Sequence, residues 1–179
     1  MVIKIIRHAK VNFTWNKRYN SVDYDIACKE YDNSSLESIK KQILFNSNEK
    51  IFISTLKRTH DTAKLLFGDN VFIRDNLFDE VPLKSFKDTD KSYPLWMWNI
   101  AGRMQWLTNN TRQIESRKET QERAEKAINI IESIDKDCYV ITHGFYMITL
   151  IKVLKKQGYK IKRRHSLGIN NLEEIRAEK

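Results

Sequence analysis

A chain of 179 residues, 41% apolar and 11% aromatic, is long enough to bury its own core as one domain without disulfides or metals. Both signs of charge are mixed along most of it, which argues against wholesale disorder, and no apolar run approaches the roughly 20 residues of a membrane span. The net charge of +9 gives a positive field that helps to gather anionic ligands.

In chain order, 2–6 is a short apolar strand that Arg7 and His8 end; it lacks the length and cleavage site of a signal peptide, so a cytoplasmic protein is expected. Segment 34–46 predicts a helix, with a capping box (Ser34 and Glu37) and Leu36, Ile39, Ile43 and Leu44 on one face. A strand at 51–54 leads into a helix at 58–67, and 71–73 reads as a third strand. Segment 84–117 holds Trp96, Trp98 and Trp106 and is taken as a helical insertion over the site, plain packing on the sheet edge being the other reading. Segment 120–134 predicts a helix capped by Thr120, with Ala124, Ala127, Ile128 and Ile131 at helical spacing. The strand at 139–142 precedes a helix at 144–156, apolar nearly all round and so expected against the sheet, and 166–175 adds a last strand. The first and fourth of these apolar strands, 2–6 and 139–142, look buried on both faces, as in a parallel sheet. Strands alternating with helices imply an α/β layered domain. Cys28 and Cys138 fit no metal or redox spacing, and Cys138 is expected to be a buried small residue. Seven of the thirteen residues of 152–164 are Lys or Arg, which reads as a solvated helix end and loop, with nucleic acid as the other reading.

Histidines stand where strands end: His8 after 2–6 and His143 after 139–142. The strand at 51–54 is followed by Arg58 entering a helix, and Arg7 precedes His8. Groups at the carboxyl ends of parallel strands converge on the ligand crevice, which here gathers two imidazoles and two guanidiniums. Phosphate fits that set. Arginine presents a planar fork matched to phosphoryl oxygens, a helix starting at Gly144 would add backbone donors, and neutral imidazole is a competent nucleophile. A proton donor for the leaving oxygen is still required, and Asp79 and Glu80 are the candidates.

These stretches resemble the motifs of the histidine phosphatase, or phosphoglycerate mutase-like, superfamily. Arg7-His8-Ala9 is similar to its Arg-His-Gly signature, and Ser54 to Ala63 to its Ser-x-x-x-Arg-Ala-x-x-Thr-Ala motif. Leu77 to Pro82 matches the region of its acidic residue, and Thr142-His143-Gly144 resembles its second His-Gly motif. The resemblance implies a three-layer sandwich with a mostly parallel central sheet over a single domain, 1–179. It implies a phosphomonoesterase with His8 as nucleophile through a phosphohistidine. Arg7, Arg58 and His143 would bind the phosphoryl oxygens, and Glu80 would be general acid and base, Asp79 being the other choice. No metal or cofactor is called for, and the partner would be a small phosphorylated substrate, a phosphoprotein being possible. The sequence departs from the pattern at Ala9, at Lys10, expected to make the pocket rim more basic, and at Thr59 in place of Ala. His60 and His165 are expected to be packing or surface residues. Three alternatives stay open: a phosphoglycerate mutase-type transfer, a non-catalytic phosphate- or nucleic-acid-binding domain, and a metal site on His8 and His143.

Overall fold

The computed structural model describes residues 1–38, 42–163 and 168–179. In chain order they form β1 (Val2–Arg7), β2 (Arg18–Tyr19), α1 (Ser21–Asn33), β3 (Lys50–Ile53), α2 (Lys57–Phe67), β4 (Ile73–Arg74), a 3-10 turn (Asn76–Phe78), β5 (Tyr93–Pro94), α3 (Leu95–Leu107), α4 (Arg117–Ile134), β6 (Cys138–Thr142), α5 (Gly144–Lys156), β7 (Lys160–Lys162) and β8 (Glu174–Glu178). The main sheet runs β4-β3-β6-β1-β8-β7. Its β4, β3, β6 and β1 pair in parallel, while β8 runs antiparallel to β1 and β7 antiparallel to β8.

Strand periodicity sorts the central residues into two cores. Ile3, Ile5, Cys138 and Val140 face α4 and α5, which contribute Ala124, Ala127, Ile128, Ile131, Met147 and Leu150. Ile6, Ile51, Ile53, Tyr139 and Ile141 face α2 through Ala63, Leu66 and Phe67. The result is a three-layer sandwich with a mostly parallel sheet, as the resemblance implies. Each fully buried aliphatic side chain contributes about 1.5–3 kcal/mol, so apolar runs such as Ile5-Ile6 and Val140-Ile141 fix the centre of the sheet. A third cluster of Tyr19, Tyr24, Ala27 and Trp98 joins α1 to α3 beside the short β2–β5 ribbon.

Several expectations are corrected. No helix covers the described part of 34–46. Ser34 Oγ instead donates to the Glu30 carbonyl (2.7 Å) and closes α1, so the residue read as a start is a stop. Leu36 bridges to Val11, and the amides of Glu37 and Ile43 donate to Lys10 and Leu66, backbone bonds to other segments that a helix would have used internally. Leu44 is exposed, and Ile39 lies outside the described residues. The helix in this region is α1, capped by Asn20, whose side chain accepts from the Asp23 amide at 2.8 Å. The third strand is Ile73–Arg74, displaced because Val71 points to solvent. Helix α4 begins one turn early, with the capping box on Ser116 and Glu119. Thr120 lies inside it, accepting from Trp106 Nε1 at 2.9 Å. The last strand is Glu174–Glu178, where Ile175 and Ala177 alternate inward, and 166–167 lie outside the described residues. Cys28 and Cys138 are free thiols, the latter buried.

Candidate active site

The chain runs from β1 outward to β3 and β4, then returns as β6 between β3 and β1. That reversal opens a crevice at the carboxyl ends of adjacent parallel strands. Arg7 pairs in register with Thr142, so the next residues, His8 and His143, leave the sheet side by side. Their ring centroids are 5.1 Å apart, and both side chains are buried.

Hydrogen bonds assign both tautomers. His8 Nδ1 lies 2.7 Å from the Ala9 carbonyl, which can only accept, so Nδ1 carries the proton and Nε2 keeps its lone pair. The backbone around it is fixed from three sides. The His8 amide donates to Thr142 (2.9 Å), the Ala9 amide to Thr62 Oγ1 (2.9 Å), and Asn171 Nδ2 to the His8 carbonyl (2.8 Å). Ala9 is fully buried, and its φ is not positive, so the family's glycine is replaced here without backbone strain.

Arg58 Nε donates to His143 Nδ1 at 3.1 Å, which leaves the His143 proton on Nε2, 2.8 Å from Ser54 Oγ. Ser54 then donates to Thr59 Oγ1 (2.8 Å), and Thr59 to the Leu56 carbonyl (2.8 Å). Thr59 therefore ends a buried chain of bonds that alanine could not complete. The second edge of Arg58 meets Asp32 at 2.6 Å, and its guanidinium lies 5.3 Å from the Tyr31 ring centre. Burial, together with Arg58 and Arg7, pushes the His8 pKa down to about 3. Burial, Arg58 and His8 hold His143 well below the usual histidine range. Both rings are neutral at ordinary pH.

Arg7 donates from Nη1 to the Ile169 carbonyl at 2.6 Å, while its Nε is buried with no partner among the described residues. It lies flat against Gly144, where a Cβ would stand 2.9 Å from Nε and 3.0 Å from Cζ. Glycine starts α5 because arginine occupies the space a side chain would need.

Glu80 Oε1 accepts from the Tyr146 amide (2.8 Å) and Oε2 from the Phe145 amide (3.4 Å). Two of the amides at the start of α5, where donors to a phosphoryl group are expected, thus go to Glu80 instead. Asp79 is turned away, bound to the Thr55 amide (2.7 Å) and hydroxyl.

Arg7, His8, Arg58 and Glu80 line one cavity of about 820 Å³, joined by Trp15, Tyr24, Tyr31 and Asp32, by Leu83 and Lys84, and by Asn99, Arg103 and Ile114. His143 sits beneath it, and neither Asp79 nor His60 lines it. Lys10 does not line it either, and pairs with Glu37 at 2.7 Å. His60 is half exposed, edge-on to Phe72, and His165 and Arg164 lie outside the described residues. From 84–117 the cavity takes Lys84, Leu95, Asn99, Arg103 and Ile114 and none of the tryptophans. Trp98 donates to the Tyr19 carbonyl and stacks on Tyr24, and Trp96 is exposed. Of the basic stretch, Lys156 and Lys162 pair with Glu125 and Glu178. Sequence reasoning missed Asp32, Tyr31 and Arg103, each carried on a helix with no motif of its own. Among the described residues no group of three or more His, Cys, Asp or Glu could hold a metal, and no helix is long and apolar enough to cross a membrane.

The fold and this constellation define an α/β protein whose crevice gathers two neutral imidazoles and two guanidiniums. The chain belongs to the histidine phosphatase superfamily (branch 1), whose family model matches residues 3–178. No curated protein matches it in sequence. Among solved structures, it is similar to a phosphoglycerate mutase from Bacillus anthracis, with 16% identity over 98% of this chain and 86% of that one and a TM-score of 0.59. It is similar to a mycobacterial glucosyl-3-phosphoglycerate phosphatase (16% identity, 98% and 88% covered, TM-score 0.57). It also resembles a phosphoserine phosphatase from Entamoeba histolytica solved with 3-phosphoglyceric acid (12% identity, 87% and 80% covered, TM-score 0.51). At these identities the likeness shows a common fold. Members of the superfamily are phosphatases or mutases, enzymes that act on phosphate esters.

Proposed function

We propose that the protein is a phosphomonoesterase working through a phosphohistidine on His8. The observation that carries this reading is the Nε2 lone pair of a neutral imidazole, left free by the Nδ1–Ala9 bond, in a cavity lined by two guanidiniums. In the first step, Nε2 attacks phosphorus in line, the P–O ester bond breaks, and Glu80 gives its proton to the leaving oxygen. In the second, Glu80 takes a proton from water, the oxygen attacks phosphorus, the P–N bond breaks, and inorganic phosphate leaves. Arg7 and Arg58 bind the phosphoryl oxygens and offset developing charge. His143 has both nitrogens engaged, so the geometry supports a role through Arg58, whose Nε it fixes.

The chain is read as one domain, 1–179, with 84–117 over the site, because five residues of that segment wall the cavity. A space of about 820 Å³ far exceeds one phosphoryl group and suits a small phosphorylated organic substrate. Phosphoserine and 3-phosphoglycerate, named with related folds, belong in the first panel.

The test is release of inorganic phosphate from p-nitrophenyl phosphate, measured beside interconversion of 3- and 2-phosphoglycerate. Phosphate release that His8→Ala abolishes supports the reading. Interconversion without net release makes the protein a mutase instead, and full activity in the His8 variant removes the nucleophile.

A further inference from the structure

Glu80 lies between the turn that precedes it and the first turn of α5, two elements with no covalent tie near the site. One side chain touches both. Arg123, on α4, donates through Nη1 to the carbonyls of Asp79 (2.8 Å), Leu77 (3.1 Å) and Asn76 (3.4 Å) at the end of the 3-10 turn. Its guanidinium lies 4.4 Å from the centre of the Tyr146 ring, and the Tyr146 amide is the shorter of the two α5 donors to Glu80. Its other edge is held by Glu115 in a bidentate pair, Nε–Oε1 2.8 Å and Nη2–Oε2 2.9 Å, with both side chains largely buried.

We propose that Arg123, locked by Glu115, is a positioning residue that sets the distance between Glu80 and the leaving-group oxygen; this rests on the acid–base role given to Glu80 above. Geometry requires arginine for the task. A planar fork can spend one edge on a carboxylate, point its remaining nitrogen at a run of carbonyls, and lay its face on a phenol ring. A lysine ammonium keeps the charge but cannot hold three such partners at once. Loosening the buckle lets the Asp79–Glu80 backbone shift relative to α5, while the elements that carry His8, Arg7 and Arg58 stay in place. The damage therefore falls on proton transfer to the leaving group and spares attack on phosphorus.

The experiment compares p-nitrophenyl phosphate, whose leaving group needs no proton, with n-butyl phosphate, whose leaving group does. Arg123→Lys is expected to lower kcat/KM for the butyl ester roughly ten- to a hundredfold and for the nitrophenyl ester less than about twofold. In a Glu80→Gln background the same change is expected to add no further selectivity. Equal slowing of both esters, or a selective effect that persists without Glu80, overturns the inference. Where Arg123→Lys fails to fold, Glu115→Gln replaces it, keeping Arg123 while weakening its anchor; smaller selectivity of the same sign supports the inference, and none overturns it. If Glu80→Gln itself shows no preference between the esters, the acid assignment falls and the inference with it, whereas selectivity in Glu80→Gln alone removes only the role of Arg123.

Discussion

Gly144→Ala tests the phosphate cradle through a single methyl group. The added Cβ would stand 2.9 Å from Arg7 Nε and 3.0 Å from Cζ, where ordinary carbon contacts need about 3.5 Å or more. Arg7 must retreat by about half an ångström or more, against an Nη1 bond to Ile169 that is already short at 2.6 Å. The helix does not suffer, because alanine is a better helix former than glycine. The expected outcome is an unchanged or slightly higher melting temperature with a weakened phosphoryl site. A hydrogen bond to a charged group contributes about 1.5–3 kcal/mol, so losing one from Arg7 corresponds to roughly a 10- to 150-fold fall in kcat/KM. Vanadate inhibition, which reads the cradle without chemistry, should weaken in parallel. Activity within about twofold of the parent, with vanadate affinity unchanged, would refute the claim that Arg7 against Gly144 is part of the phosphate site.

Nitrogen NMR of the imidazoles should find His8 neutral, with the proton on Nδ1, from about pH 8 down to about pH 5; a midpoint near 6.5 contradicts the burial argument. His8 has a folded pKa of about 3, below its unfolded value, so protonation favours the unfolded chain. Its contribution to stability is complete above about pH 6.5 and is lost as pH falls, on the order of 2 kcal/mol by about pH 5. His8→Gln should flatten that loss in denaturant titrations. Asp32→Asn keeps an acceptor for Arg58 Nη1 but removes a negative charge from the cavity wall. Vanadate should then bind roughly three- to tenfold tighter, a modest gain because Asp32 is half exposed and screened; weaker binding would make the carboxylate a needed brace for Arg58.

The centre of the fold was readable because its strands are buried on both faces: Ile3, Ile5, Ile6, Val140 and Ile141 must be interior in any packing. The site followed from it, since Arg7, His8 and His143 are fixed to strand ends and Arg58 to the helix start beyond a third. What failed was local. Helix α1 turns Ser21, Tyr24 and Ala27 inward and leaves Val22 and Ile26 in solvent, so its apolar residues mark the wrong face. The capping pattern at Ser34 was genuine chemistry assigned to the wrong end of a helix. Both the use of the α5 amides by Glu80 and the clamp of Arg123 on Asp79 join residues more than forty positions apart, and no spacing rule reaches that far. Thr59 shows the reverse: a departure from the family pattern becomes intelligible once Ser54 and His143 are seen beside it.

The central claim is a covalent bond between phosphorus and Nε2 of His8. Rapid quenching of the enzyme with a phosphorus-labelled aryl ester is expected to trap one labelled protein species that survives alkali, is lost in acid, and maps to His8. An acid-stable label, or the same label on His8→Ala protein, would contradict it.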